Sequence, residues 1–164
     1  MIDLSNIEQY RENNRIEAKK ALGGLPQSIW ETYSAFANTF GGYILLGVEE
    51  HEDKSLHTVD LPDPERLIKE FWHIINDKTK VSANILSEKD VSVEVVNGNH
   101  IIVISVPRAK GCDKPVFIGG NPFSGSYRRN GEGDYRCTIE DIQAMLYSTA
   151  AAQDMHVYKK EKRL

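Results

Sequence analysis

The sequence predicts an α+β fold, a mixed central sheet with helices packed on it. Residues 43–48, YILLGV, are apolar at nearly every successive position, which suits a strand covered on both faces and therefore a central one. Residues 26–38 and 64–77 repeat apolar side chains at helical spacing. Asn97-Gly98 joins two β-rich runs with the dipeptide that two-residue hairpin turns favour. The order of elements is helix, strand, helix, strand, helix, hairpin, short strands, helix, which is an α+β order.

In chain order, Ser5 and Glu8 form a capping box that predicts a short helix to Glu12. Residues 14–21, NRIEAKKA, alternate loosely and predict an edge-like strand. Gly23-Gly24 is a turn, and Pro26 suits the first turn of a helix carrying Leu25, Ile29, Tyr33 and Phe36 on one side. Asn38 is expected to cap that helix and form the turn after it. Gly41-Gly42 permits backbone conformations closed to other residues, and Gly47 within the central strand predicts a close approach of another segment. Polar residues 51–61 predict a loop. Asp63-Pro64 is an N-cap and first-turn proline for a helix with Leu67, Ile68, Phe71, Trp72 and Ile75 inward. Val91, Val93 and Val95 begin the hairpin, and 101–106 return it. Residues 108–114 are a basic loop, 115–118 a short strand, 119–125 a flexible connection and 125–129 a further strand. Thr138 with Asp141 opens a last helix, with Ile139, Ile142, Met145 and Leu146 as its apolar face.

A chain of 164 residues, 40% hydrophobic and 27% charged, is long enough for one self-sufficient core. The expected division is a domain over 1–148 and a tail over 149–164 ending KKEKRL. Cys112 and Cys137 lack a CxxC context and read as reduced thiols. The start, MIDLSNIEQYRENN, is no secretory leader, and no apolar run reaches membrane length, so a cytoplasmic protein without membrane contact is expected. The net charge of -4 argues against a body coated for non-specific duplex binding, while leaving room for a local basic face. No lysine follows a glycine loop in the Walker manner, so no ATP site is expected.

The set Glu12…Glu17-Ala18-Lys19, SAFANTFGGYILLGVEE and KPVFI…SYRRNGEGDYRCTIEDI resembles the AlbA_2 family, the Schlafen-like DNA-binding domains found at the head of bacterial transcriptional regulators. The resemblance runs from about Glu12 to Met145. It implies an AlbA_2/Schlafen-like mixed sheet and a nucleic-acid-binding module, DNA or RNA, acting as a transcriptional regulator and needing no cofactor. Some members of the family cleave RNA with three acids and a divalent metal. On this chain those positions fall at Glu12, Glu17 and Glu50, which implies, as the alternative, a metal-dependent ribonuclease using Mg²⁺ or Mn²⁺. Residue 50 is Glu where nuclease relatives carry Asp, and residue 18 is Ala where an aromatic is usual.

The residues allow both readings. Glu12 and Glu17 lie near a first strand and Glu50 at the end of a neighbouring central strand, so the three could meet in space. Arg15, Lys19, Lys20, Arg108, Lys110, Lys114, Arg128 and Arg129 are candidates for phosphate contact, and Tyr127, with Phe123, for base stacking. An Ala-rich tail helix from Thr138 to Val157 is the candidate surface for a homodimer.

Overall fold

The computed structural model describes residues 2–148. Its strands are β1 (Ile16–Lys19), β2 (Gly42–Leu46), β3 (Val48–Glu50), β4 (Leu56–Thr58), β5 (Val91–Val96), β6 (Asn99–Val106), β7 (Tyr127–Asn130) and β8 (Gly133–Arg136). Its helices are α1 (Ile29–Asn38), α2 (Pro64–Ile75), the single turn α3 (Pro122–Gly125) and α4 (residues 139–148).

The apolar run of β2 makes it a central strand, as its sequence predicts. The main sheet has the order β1-β2-β6-β5, with β1 parallel to β2 and the other pairs antiparallel, so the sheet is mixed. Register places Ile44 opposite Ile104 and Leu46 opposite Ile102, all buried with α1 and α2 on one face. Leu45 and Val103 turn to the other face, where Ile7 of the N-terminal 3₁₀ helix and Leu56 of β4 cover them. Across the first face Trp30 stacks on Phe71 with ring centroids 5.1 Å apart, joining the two main helices. Asn97 and Gly98 both have positive φ, as the predicted hairpin turn requires.

Gly47 separates β2 from β3. Its φ is +85°, and a Cβ there would stand 2.8 Å from Leu61 Cγ. This is the expected close approach, and it redirects the chain so that β3 leaves the main sheet to pair with β4. Gly41 does the same at the other end of β2: its φ is +75°, and a Cβ would lie 2.6 Å from the Val106 carbonyl.

Several expectations are corrected. The first helix is a 3₁₀ helix, Leu4–Gln9, capped by Asp3 rather than Ser5. Pro26 lies in the turn before α1, which starts at Ile29. The 51–61 loop contains β4, paired with β3. Residues 115–118 make only isolated bridges, from Phe117 to Ser126 and from Val81 to Ile118. The 119–125 connection contains α3, and β7 is half of a hairpin whose return strand is β8. Of the apolar face expected for the last helix only Ile142 is buried, while Ile139 is 59% exposed. The tail from Thr149, and the dimer surface expected on it, lie outside the described residues.

The inner flank of α1 is polar, and this explains why β7 docks on a helix. Ser34 Oγ donates to the Val116 carbonyl at 2.6 Å and accepts from the Tyr127 N–H at 3.0 Å. Asn38 does not cap its own helix. Its side-chain amide accepts from the Val116 N–H and donates to the Val116 and Tyr127 carbonyls, at 2.8 to 3.0 Å. These side chains supply the hydrogen bonds that a strand partner would otherwise give to buried backbone. Asn38→Ala removes three of them at once. It should cost about 3 kcal/mol, since groups left unsatisfied cost roughly 1–3 kcal/mol each, measured by urea unfolding. A loss below about 1 kcal/mol would show that the clamp is dispensable.

Candidate metal centre

β1 is an edge strand, and side chains cover its open edge. After Glu12 the chain turns tightly, with Asn13 and Ile16 bridging each other. That turn folds Glu12 back beside β1, where the Ala18 N–H favours its carboxylate form. A side chain larger than that of Ala18 is not needed for this contact, which is made to backbone. The Ile16 carbonyl is covered by Arg129, whose Nη2 donates to it at 3.0 Å.

Glu50 closes β3, and Glu132 sits at the turn of the β7–β8 hairpin. Glu12, Glu50 and Glu132 each present one carboxylate oxygen, and these oxygens lie within 4.8 Å of one another. Opposite ligands of an octahedral Mg²⁺ ion are about 4.2 Å apart, from metal–oxygen distances of about 2.1 Å. The cluster therefore fits such an ion with a small closure, and the longer side chain at position 50 does not keep its carboxylate away. Hard oxygen donors of this kind suit Mg²⁺ or Mn²⁺. Glu50 also pairs with Lys54 at 3.3 Å and shares a shallow hollow with Glu49, His51, Glu52 and Asp53.

Glu17 is brought close but is not one of the three. Its charge, with that of Glu50, helps lift Glu12. Burial is the larger cause, and together they push the Glu12 pKa up to about 7, against the pull of the Ala18 N–H and Arg129. The Glu17 carboxylate is itself held, at 2.8 Å from Arg129 and 3.6 Å from Lys19.

Arg129 is the residue whose place differs most from expectation. Its side chain is fully buried and points inward. Nη1 donates to Asp134 at 2.8 Å; Nη2 reaches Glu17, Ile16 O and the Asn13 carbonyl; Nε also donates to Asn13 O. The guanidinium stands 5.0 Å from the Phe36 ring centre. Burial works against its charge, but hydrogen bonds and charges from Asp134 and Glu17 raise its pKa further. It is a strut between β1, β7 and β8, unable to reach a phosphate as expected. Tyr127 is likewise buried, so its ring offers no stacking surface.

The other candidates remain at the surface to differing degrees. Arg15 and Lys110 are exposed. Lys19 donates to Ser28 Oγ at 3.0 Å, and Lys20 pairs with Glu49 at 3.3 Å. Arg128 is half exposed, 3.7 Å from Asp141. Arg108 and Lys114 line one groove beside α4. Glu132 and Asp134 belong to this arrangement although the sequence alone does not single them out. Both are hidden because the glycine-containing stretch 130–134 gives no sign of a return strand.

The chain matches the family described as Schlafen, AlbA_2 over residues 12–138. Among solved structures it is similar to the N-terminal domain of a RecG-related protein, described as an ATP-dependent DNA helicase, from Nitrosomonas europaea. That match has 31% identity and a TM-score of 0.61 over 85% of this chain and 95% of the other. A second similarity is to the DIP2311 protein of Corynebacterium diphtheriae, at 18% identity and a TM-score of 0.48 over 76% of this chain and 22% of that one. No curated protein matches the chain.

The Glu12 shift has a consequence for stability. The folded carboxyl titrates near 7 against 4.5 for an unperturbed one, so folding favours its protonated form. Its stabilising contribution is intact below about pH 4.5 and is lost as pH rises through about 7. In metal-free buffer Glu12→Gln is therefore expected to raise Tm at pH 8 and to leave it near wild type at pH 4. A difference in Tm that does not grow between those pH values would contradict the placement of this carboxyl.

Proposed function

The chain belongs to the Schlafen AlbA_2 family, and on that footing we propose that it is a nucleic-acid-binding domain that cleaves a phosphodiester with a divalent metal ion. The observation that carries this reading is the convergence of Glu12, Glu50 and Glu132 to within 4.8 Å, with Glu17 alongside. Unneutralised acids repel a polyanion, so a binding surface has no use for this cluster unless a cation bridges it. Nucleic acid as the partner is further supported by the likeness to a helicase-related domain.

Glu12, Glu50 and Glu132 would hold the ion, which supplies Lewis-acid charge beside a phosphate and makes water more acidic. Glu12, its pKa pushed up to about 7 mainly by burial, would have to lose its proton to act as a ligand. The Glu17 carboxylate is fixed by Arg129 and lies beside Glu12. The Lys54 ammonium, 3.3 Å from Glu50, must swing away or turn to a phosphate oxygen. A second reading, a DNA-binding regulator without cleavage, is favoured by the basic loop with Arg108, Lys110 and Lys114, which lies apart from these acids in the chain.

Incubation of labelled structured RNA and single-stranded DNA with Mn²⁺ tests the choice. Cleavage is expected, suppressed by EDTA and reduced at least about 100-fold in Glu12→Gln, since loss of even an outer-sphere partner costs up to about 100-fold. Tight binding with no cleavage of any substrate would select the regulator. Cleavage untouched by Glu12→Gln would place the chemistry elsewhere.

A further inference from the structure

Phe40 is 58% exposed, although it lies only two residues beyond the buried helix α1. Its position is not loose. The Gly41 N–H returns to the Phe36 carbonyl at 2.8 Å, and the Thr39 N–H bonds the same oxygen at 3.2 Å. Thr39 Oγ1 donates to the Ala35 carbonyl and accepts from the Arg129 N–H. Beside the ring, the Arg108 guanidinium lies 6.0 Å from its centre. Arg108 is fixed in turn, because the next residue, Ala109, donates its N–H to the Ala37 carbonyl at 2.8 Å. The same loop carries Lys110, exposed, and Lys114, which lines with Arg108 a groove of ≈ 450 Å³ against Ala144, Met145 and Ser148 of α4. The loop's carboxylate is Asp113. Burial and the neighbouring Arg108 charge both lower the Lys114 pKa, as expected where positive charge is concentrated.

We propose that Phe40 and Arg108, with Lys110 and Lys114, form a contact site for single-stranded nucleic acid that shares no residue with the carboxylate cluster. An unpaired base stacks on the Phe40 ring, and the adjoining phosphates meet Arg108 and the two lysines. The occupant follows from the chemistry present: an exposed aromatic ring on a hydrogen-bonded turn, beside three cations on one short loop of a chain with net charge -4. Aromatic stacking with flanking positive charge is how single strands are held without sequence readout. A duplex hides its base faces and would use only the charges. The site rests on the nucleic-acid reading above and adds a place where the strand is anchored away from the acids.

The test is anisotropy of a labelled oligouridylate of about 12 nucleotides, within the usual site size, and of its deoxythymidylate counterpart, in EDTA at low salt. Phe40→Ala should weaken binding about 10-fold and Phe40→Tyr should restore it. Arg108→Ala should weaken binding similarly and lower the salt slope by about one. Both positions are exposed, so both variants should keep the wild-type Tm. Wild-type binding that survives both substitutions overturns the site and leaves the function standing. Equal competition by polyglutamate, insensitive to Phe40→Ala, also overturns it, in favour of an acidic protein partner. If the wild type binds neither oligonucleotide, the nucleic-acid reading fails first and the site falls with it.

Discussion

The structure depends on one buried guanidinium. Burying a charge costs several kcal/mol unless partners surround it, and removing a partner from a buried pair costs about 3–5 kcal/mol. Arg129 meets that demand with two carboxylates and two backbone carbonyls. Its partners come from different segments: the turn before β1, β1 itself and β8. The guanidinium also rests against Phe36 of α1. The β7–β8 hairpin is thereby fixed to the open edge of the main sheet, a position where backbone alone would hold nothing. That placement is what brings Glu132, at the hairpin turn, to Glu12 and Glu50. The polar flank of α1 works in the same direction, since Thr32 donates to Asp134 at 2.6 Å and Thr39 receives the Arg129 N–H.

Electrostatics give the site its character. Arg129 answers Glu17 and Asp134, and Lys54 answers Glu50, but Glu12 has no cation within salt-bridge distance among the described residues. Its response is to hold a proton to about pH 7. A group poised in this way can exchange a proton for a metal ion near neutral pH. Elsewhere on the surface, Arg108, Lys110 and Lys114 gather positive charge on one loop, so an acidic chain still offers a face to a polyanion. The proposed anchoring and the proposed chemistry fall on different elements, the first on the turn after α1 and the loop after β6, the second on the segment before β1, the end of β3 and the β7–β8 turn.

Much of the fold was legible. Tyr43 to Val48 announced a central strand, Asn97-Gly98 a hairpin and Asp63-Pro64 a helix start, because each rests on local periodicity or turn chemistry. The strands β4 and β8 were not legible: each is short, and each is held by pairing or by side chains distant in sequence. Glu12 and Glu50 entered through the family resemblance and come together in space. The burial of Arg129 is not legible, because an arginine on a strand is ordinarily a surface residue and nothing nearby in sequence shows that Glu17, 112 residues earlier, will pair with it. The role of Asn38 is hidden for a related reason. Its spacing marks a helix end, but its partners lie at Val116 and Tyr127.

On the proposed reading, Arg129 sets the geometry in which Glu12, Glu50 and Glu132 would hold one divalent ion. Calorimetric titration of Mn²⁺ into the wild type and into Arg129→Lys tests it most directly, provided circular dichroism shows the variant folded. Lysine keeps the charge but cannot reproduce the fork that spans Glu17 and Asp134. One site is expected in the wild type, with affinity reduced at least about 10-fold in the variant, the loss typical of an outer-sphere partner. Unchanged Mn²⁺ affinity in folded Arg129→Lys would contradict it.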